Sequence, residues 1–179
     1  MTVKSNIILK VLNVFTWAGF IGLCVKAGAL ITSFGISMFI NPSGSKNLYL
    51  GLDLSQLKEY SNYQYAYLVS SIISIFVLQA IMFYVLLSIF KKINLVNPFD
   101  QLIGKLFSKL SLVSFAIGVL SKVTFELSSK YISQGMNFPN LIEHIIHGDA
   151  FLFFAGILLF VSMLYKRGIE LQTENDLTI

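Results

Sequence analysis

From Tyr65 to Phe90 the chain runs without a charged residue, and Lys91-Lys92 close the run. A helix of that length crosses a hydrocarbon core of about 30 Å, which needs about 20 apolar residues. A soluble surface helix would carry a charged face along such a stretch. Three further segments have the same character, so the pattern predicts spans over about 11–39, 66–90, 106–128 and 145–165. Pro42, Pro98 and Pro139 all fall between them, as punctuation should. The third span is the most polar, with Lys109, Lys122 and Glu126 inside it. The expected fold is all-α: one domain over residues 1–179, an integral membrane bundle of four transmembrane helices.

Composition agrees. Of 179 residues, 55% are hydrophobic and 12% charged, about half the charge of a soluble domain. The length leaves no room for a second folded domain. Net charge is +4, but the basic residues flank apolar segments. Anionic headgroups of the bilayer are therefore the expected counter-charge, not nucleic acid. Cys24 is the single cysteine, inside an apolar run, and reads as a small buried core residue. Lys4 and Lys10 before Val11–Val25, with Ala27-Gly28-Ala29 beyond, imitate a signal peptide. Lys26 interrupts that pattern and apolar sequence resumes to Ile40, so the reading is a retained helix.

Lysine and arginine asymmetry sets orientation. One side would hold Lys4, Lys10, Lys91, Lys92, Lys105, Lys109, Lys166 and Arg167, and the other Lys46, Lys58, Lys122 and Lys130. The first side is the expected cytoplasmic one, with both termini inside. Tyr60, Tyr63, Tyr65 and Tyr67 then form an aromatic belt at the outer mouth of the second helix, and Tyr165 marks the inner end of the fourth. Asn41 to Ser45 has turn chemistry, and Leu50, Leu52, Leu54 and Leu57 after it suggest a short interfacial helix or strand on the membrane. Asn97-Pro98-Phe99-Asp100 reads as a helix start, with Asn97 as N-cap and Pro98 in the first turn. The second outer loop, about 129–140, is polar, and Pro139 is expected to open the fourth helix early. Small residues recur at packing spacing in Ala18/Gly22, Gly28/Thr32, Ser70/Ser74 and Ser114/Gly118, which supports a bundle. Gln79, mid-span, reads as the source of one interhelical hydrogen bond.

Charges within spans are costly and therefore informative. At about 1.5 Å per residue, Lys26 comes about 22 Å above the inner end of its helix, and Glu126 and Asp149 come to about 25 Å. Lys122 lies one turn below Glu126 on the same face. The sharp expectation is one outward-open polar pocket, with Lys26 paired to Glu126 or Asp149, binding a small ligand, peptide or ion. The plain alternative is snorkelling of each charge to the interface.

Glu143-His144-Ile145-Ile146-His147-Gly148-Asp149 invites a metal reading, because His144 and His147 share a helix face. It is not the zinc-protease motif: the glutamate precedes the first histidine and the spacing is one residue short. The two histidines read instead as partly solvated helix-start residues, with an outside pH sensor as a variant. No phosphate loop, nucleophile elbow or Cys/His pair is present. The reading is a non-enzyme with no cofactor and no metal.

The chain closes with Gly168, Leu171, Gln172 and the run Glu174 to Ile179. This tail resembles the C-terminal signature G-x-x-L-Q-x-E-N-D-L-T-I of the DUF2975 family of bacterial membrane proteins, and the Asn97-Pro98-Phe99 turn is similar to that family's too. The resemblance implies four spans in a bacterial cytoplasmic membrane. It also implies a small helix-turn-helix regulator as a neighbour and partner, and it carries over no catalytic residue. Glu170, Glu174 and Asp176 make the tail acidic. A flexible acidic segment suits a basic DNA-binding domain; otherwise the tail continues the fourth helix and packs through Leu171 and Leu177. Three functions stay open: a signalling or regulatory partner of such a regulator, an immunity protein against a toxic peptide, and a small transporter or channel subunit. The last would need a homo-oligomer, and the spans lack the proline-broken helices of transporters.

Overall fold

The computed structural model describes residues 3–93, 100–145 and 148–176, with side chains from residue 7 to residue 174. The elements are helix α1 (Val3–Phe39), a 3-10 turn (Pro42–Lys46), α2 (Ser55–Tyr60), α3 (Asn62–Lys92), α4 (Gln101–Ser133), α5 (Leu141–His144) and α6 (Gly148–Asp176). Four helices are long and apolar enough to cross a membrane, and no strand occurs among the described residues.

Local chemistry sets the helix ends. Ser61 caps α3, its hydroxyl accepting from the Gln64 amide at 3.4 Å. Lys91 and Lys92 occupy its last turn, where cations suit the helix dipole. The N-cap of α4 is Asp100, whose carboxylate accepts from the Leu102 amide at 2.7 Å. The cap thus falls later than the Asn97 and Pro98 expected, and those two lie outside the described residues.

The long helices pack as a row, α1 on α3, α3 on α4 and α4 on α6. Lys91 lies 5.3 Å over the Trp17 ring and Phe34 meets Tyr65, so α1 runs antiparallel to α3. One end of the bundle, the basic end, therefore gathers the start of α1, the end of α3, the start of α4 and the end of α6. As an edge helix, α1 leaves Val14, Phe15, Ile21 and Val25 exposed, a lipid-facing surface. Cys24 is exposed on it too, not buried as its apolar setting suggested.

At the opposite end the two loops fold into a cap with its own core. Leu48, Leu52, Leu54 and Leu57 are fully buried, in one cluster with Tyr65, Phe138, Leu141 and Ile145. The leucines of the first loop thus do not lie on the membrane. Leu50 alone faces outward, 68% exposed. Side-chain hydrogen bonds stitch the loops: the Asn137 amide donates to Gln56 Oε1 at 2.8 Å, and Asn140 Nδ2 to the Gly51 carbonyl at 3.3 Å. Gly51 has φ +80° and Asn140 against its α-carbon, so only glycine suits the position. Tyr65 leaves the expected belt because it faces away from Tyr60, Tyr63 and Tyr67, which stay exposed. Its hydroxyl is 2.5 Å from Ser37 Oγ, and Lys58 donates to the Ser37 carbonyl. Pro139 precedes the short α5, and α6 then starts separately at Gly148.

Of the four small-residue pairs, only Ser114 and Gly118 lie at a helix interface. A Cβ on Gly22 or Gly28 would meet nothing, and Ser70 and Ser74 bond carbonyls of their own helix. Gly19, against Phe83, is the close approach of α1. Two interhelical hydrogen bonds join α4 to α6, from Ser111 to the Ala155 carbonyl at 2.8 Å and from Ser162 to the Gly104 carbonyl at 3.1 Å. Gln79 is buried in α3.

Candidate functional site

The helices α4 and α6 approach closely at two glycines. A Cβ on Gly118 would lie 3.0 Å from the Gly148 carbonyl oxygen, and one on Gly148 would lie 2.6 Å from that of Gly118. With backbone against backbone, the side chains just beyond are brought together. Lys122, one turn past Gly118, meets Asp149 in the first turn of α6 at 2.6 Å. Asp149 also suits the positive end of the α6 dipole. Glu126 follows Lys122 at i,i+4, close enough to act on its charge.

These three groups line a cleft of about 310 Å³ at the cap end, walled by Phe125, Ile142 and Ile145. Ser121 also lines it. Its side chain is fully buried, yet its hydroxyl has no hydrogen-bond partner among the described residues. Helical serines ordinarily bond a carbonyl one turn back, as Thr124 does to Leu120 at 2.7 Å. Sequence alone gave no sign of Ser121 or of Gly148. Lys122 and Asp149 keep 52% and 80% of their side-chain surface exposed, so their pair is open to competition from a ligand.

The structure does not bring Lys26 to this cleft. It sits on α1, at the far edge of the row, 5.7 Å over the Phe76 ring of α3. The similar heights of Lys26, Glu126 and Asp149 are therefore not proximity, because α3 stands between α1 and the α4–α6 pair. Asp149 pairs with Lys122 instead. His144 turns toward the cap core: it is buried, its Nδ1 donates to the Asn140 carbonyl at 2.8 Å, and Tyr49 meets its ring edge-on. It is thus not the partly solvated helix-start residue expected. His147 lies outside the described residues.

At the basic end the α6 helix continues to Asp176, so a flexible acidic tail is replaced by helix through that point. Glu170 pairs with Arg167 at 2.9 Å, and Glu174 follows one turn later. The side chain of Asp176 and all of Leu177 lie outside the description. Leu171 is 46% exposed and does not anchor the tail.

No curated protein and no solved structure matches this chain. The family model described as a protein of unknown function, DUF2975, matches residues 53–179, a stretch that holds part of the cap, the α4–α6 cleft and the tail and omits α1 and the first half of the first loop. The chain belongs to the DUF2975 family.

Proposed function

We propose that this chain is a non-enzymatic signalling protein of a bacterial cytoplasmic membrane, partnered by a small helix-turn-helix regulator. The basic end, with Lys91, Lys92, Lys105, Lys109, Lys166 and Arg167, faces the cytoplasm by the positive-inside rule. The cap and its cleft then face outward. Lys122 against Glu126 and Asp149 leaves the cleft one negative charge in excess, which favours a cationic ligand such as a peptide amine.

One observation carries this reading. The helix α6 runs unbroken from Asp149 in the cleft to Glu170 and Glu174 at the other end, about 32 Å from Asp149 to Glu170 at ~1.5 Å per residue. A ligand that takes Asp149 from Lys122 acts on the same rigid helix that presents the acidic turn to the cytoplasm. Coupling requires two placements of α6 on α4 with different affinities at each end. The test is a reporter driven by the promoter of the partner regulator. Signalling requires that Asp149→Asn and Glu170→Gln/Glu174→Gln both change its output. An unchanged reporter in both, with loss of survival against a toxic peptide in Asp149→Asn alone, would favour the immunity reading, which needs the cleft and no tail.

A further inference from the structure

Two hollows line the α4–α6 seam on the way from the basic end toward the membrane centre. The first, about 490 Å³, lies between Lys105 and Ser108 of α4 and Lys166 and Glu170 of α6. The second, about 690 Å³, is lined by Lys109, Leu112, Phe115 and Gly156. Lys105, Ser108 and Leu159 belong to both, so the two form one groove. Its mouth is basic and its depth is apolar. From Lys105 to Phe115 the groove spans about 15 Å of helix at ~1.5 Å per residue, the depth of one leaflet of a ~30 Å core.

We propose that this groove holds one anionic phospholipid of the adjacent leaflet, its phosphate at the mouth and an acyl chain along Phe115 and Leu159. The charge fits. Lys105, Lys109 and Lys166 are exposed and make no ion pair among the described residues. The one carboxylate at the mouth, Glu170, is engaged by Arg167. Ser108 adds a hydroxyl donor beside the lysines. Basic pockets between spans at the cytoplasmic side are the usual seat of anionic headgroups. The floor fits too: a Cβ on Gly156 would meet nothing, which leaves room for a chain where any larger residue would fill it. The lipid would bridge α4 and α6 at the end opposite the cleft.

The test is native mass spectrometry of the full chain released from bilayers containing phosphatidylglycerol and phosphatidylcholine. The wild-type protein should retain one phosphatidylglycerol in preference to phosphatidylcholine. Lys105→Gln/Lys166→Gln should weaken retention about thirtyfold, each lysine near an anionic surface contributing about fivefold. Gly156→Leu should lower retention without removing charge, and Lys91→Gln/Lys92→Gln, which removes the same charge outside the groove, should leave it unchanged. Equal loss in the Lys91/Lys92 variant, or full retention in both groove variants, would overturn the proposal. Inorganic phosphate alone displacing no lipid is expected; its displacing the lipid completely would make the site a free-anion site instead.

Discussion

Lys122 of α4 and Asp149 of α6 form an ion pair at 2.6 Å just beyond the point where Gly118 and Gly148 bring the two helices into backbone contact. Packing and charge thus act at one place. The glycines set the helix separation, and the ion pair lies where a ligand can reach it.

The two parts should separate on mutation. Gly148→Leu overfills a contact where even a Cβ lies 2.6 Å from the Gly118 carbonyl oxygen, and should destabilise the bundle by about 1–3 kcal/mol. Gly22→Ala and Gly28→Ala, which meet open space, should be neutral or slightly stabilising. Thermal unfolding in detergent checks both. Lys122→Gln should leave the melting temperature close to wild type, since both partners of its pair are more than half exposed.

The cap should behave as a true core. Leu57→Ala empties a fully buried site and should cost about 2–5 kcal/mol. Leu50→Ala, in the same loop but with its side chain 68% exposed, should cost almost nothing. In an amphipathic segment lying on the membrane Leu50 and Leu57 would both be anchors, and the two variants would cost about the same. Denaturant unfolding of the two variants decides it.

The buried hydroxyl pair of Ser37 and Tyr65 ties α1 to α3 beneath the cap. Tyr65→Phe should cost about 1 kcal/mol or somewhat more, because Ser37 keeps a buried oxygen with one partner fewer. Tyr63→Phe, at an 81% exposed position, should be silent. The same unfolding assay reads both.

Orientation has its own test. With Cys24 replaced by alanine, a cysteine placed at Lys46 in the cap should react with a membrane-impermeant maleimide added to intact cells. A cysteine at Lys92 should react only after lysis. The reverse pattern would put the cap in the cytoplasm and remove the basis for an outward cleft.

The four spans were legible because each carries a long apolar run bounded by lysine, proline or polar turns, and hydrophobic length is a local property. The cap was not. Leu52, Leu54 and Leu57 make sense only against Phe138 and Leu141, some eighty residues away, and no local pattern announces that meeting. The site was half legible. Lys122, Glu126 and Asp149 stood out as charges within spans, but height along a helix says nothing about order around the bundle. Lys26 shares their level and sits beyond α3. Ser121 and Gly148 were silent because small residues are frequent in membrane helices whether or not they touch anything.

In the proposed function the cleft and the acidic turn of α6 act as one unit on a cytoplasmic regulator. The most direct measurement is the affinity of the helix-turn-helix partner for the full-length protein in nanodiscs, compared among wild type, Asp149→Asn and Glu170→Gln/Glu174→Gln. The tail variant should weaken binding in a salt-dependent way, and Asp149→Asn, at the far end of α6, should also shift the affinity. Binding that is identical in all three would contradict it.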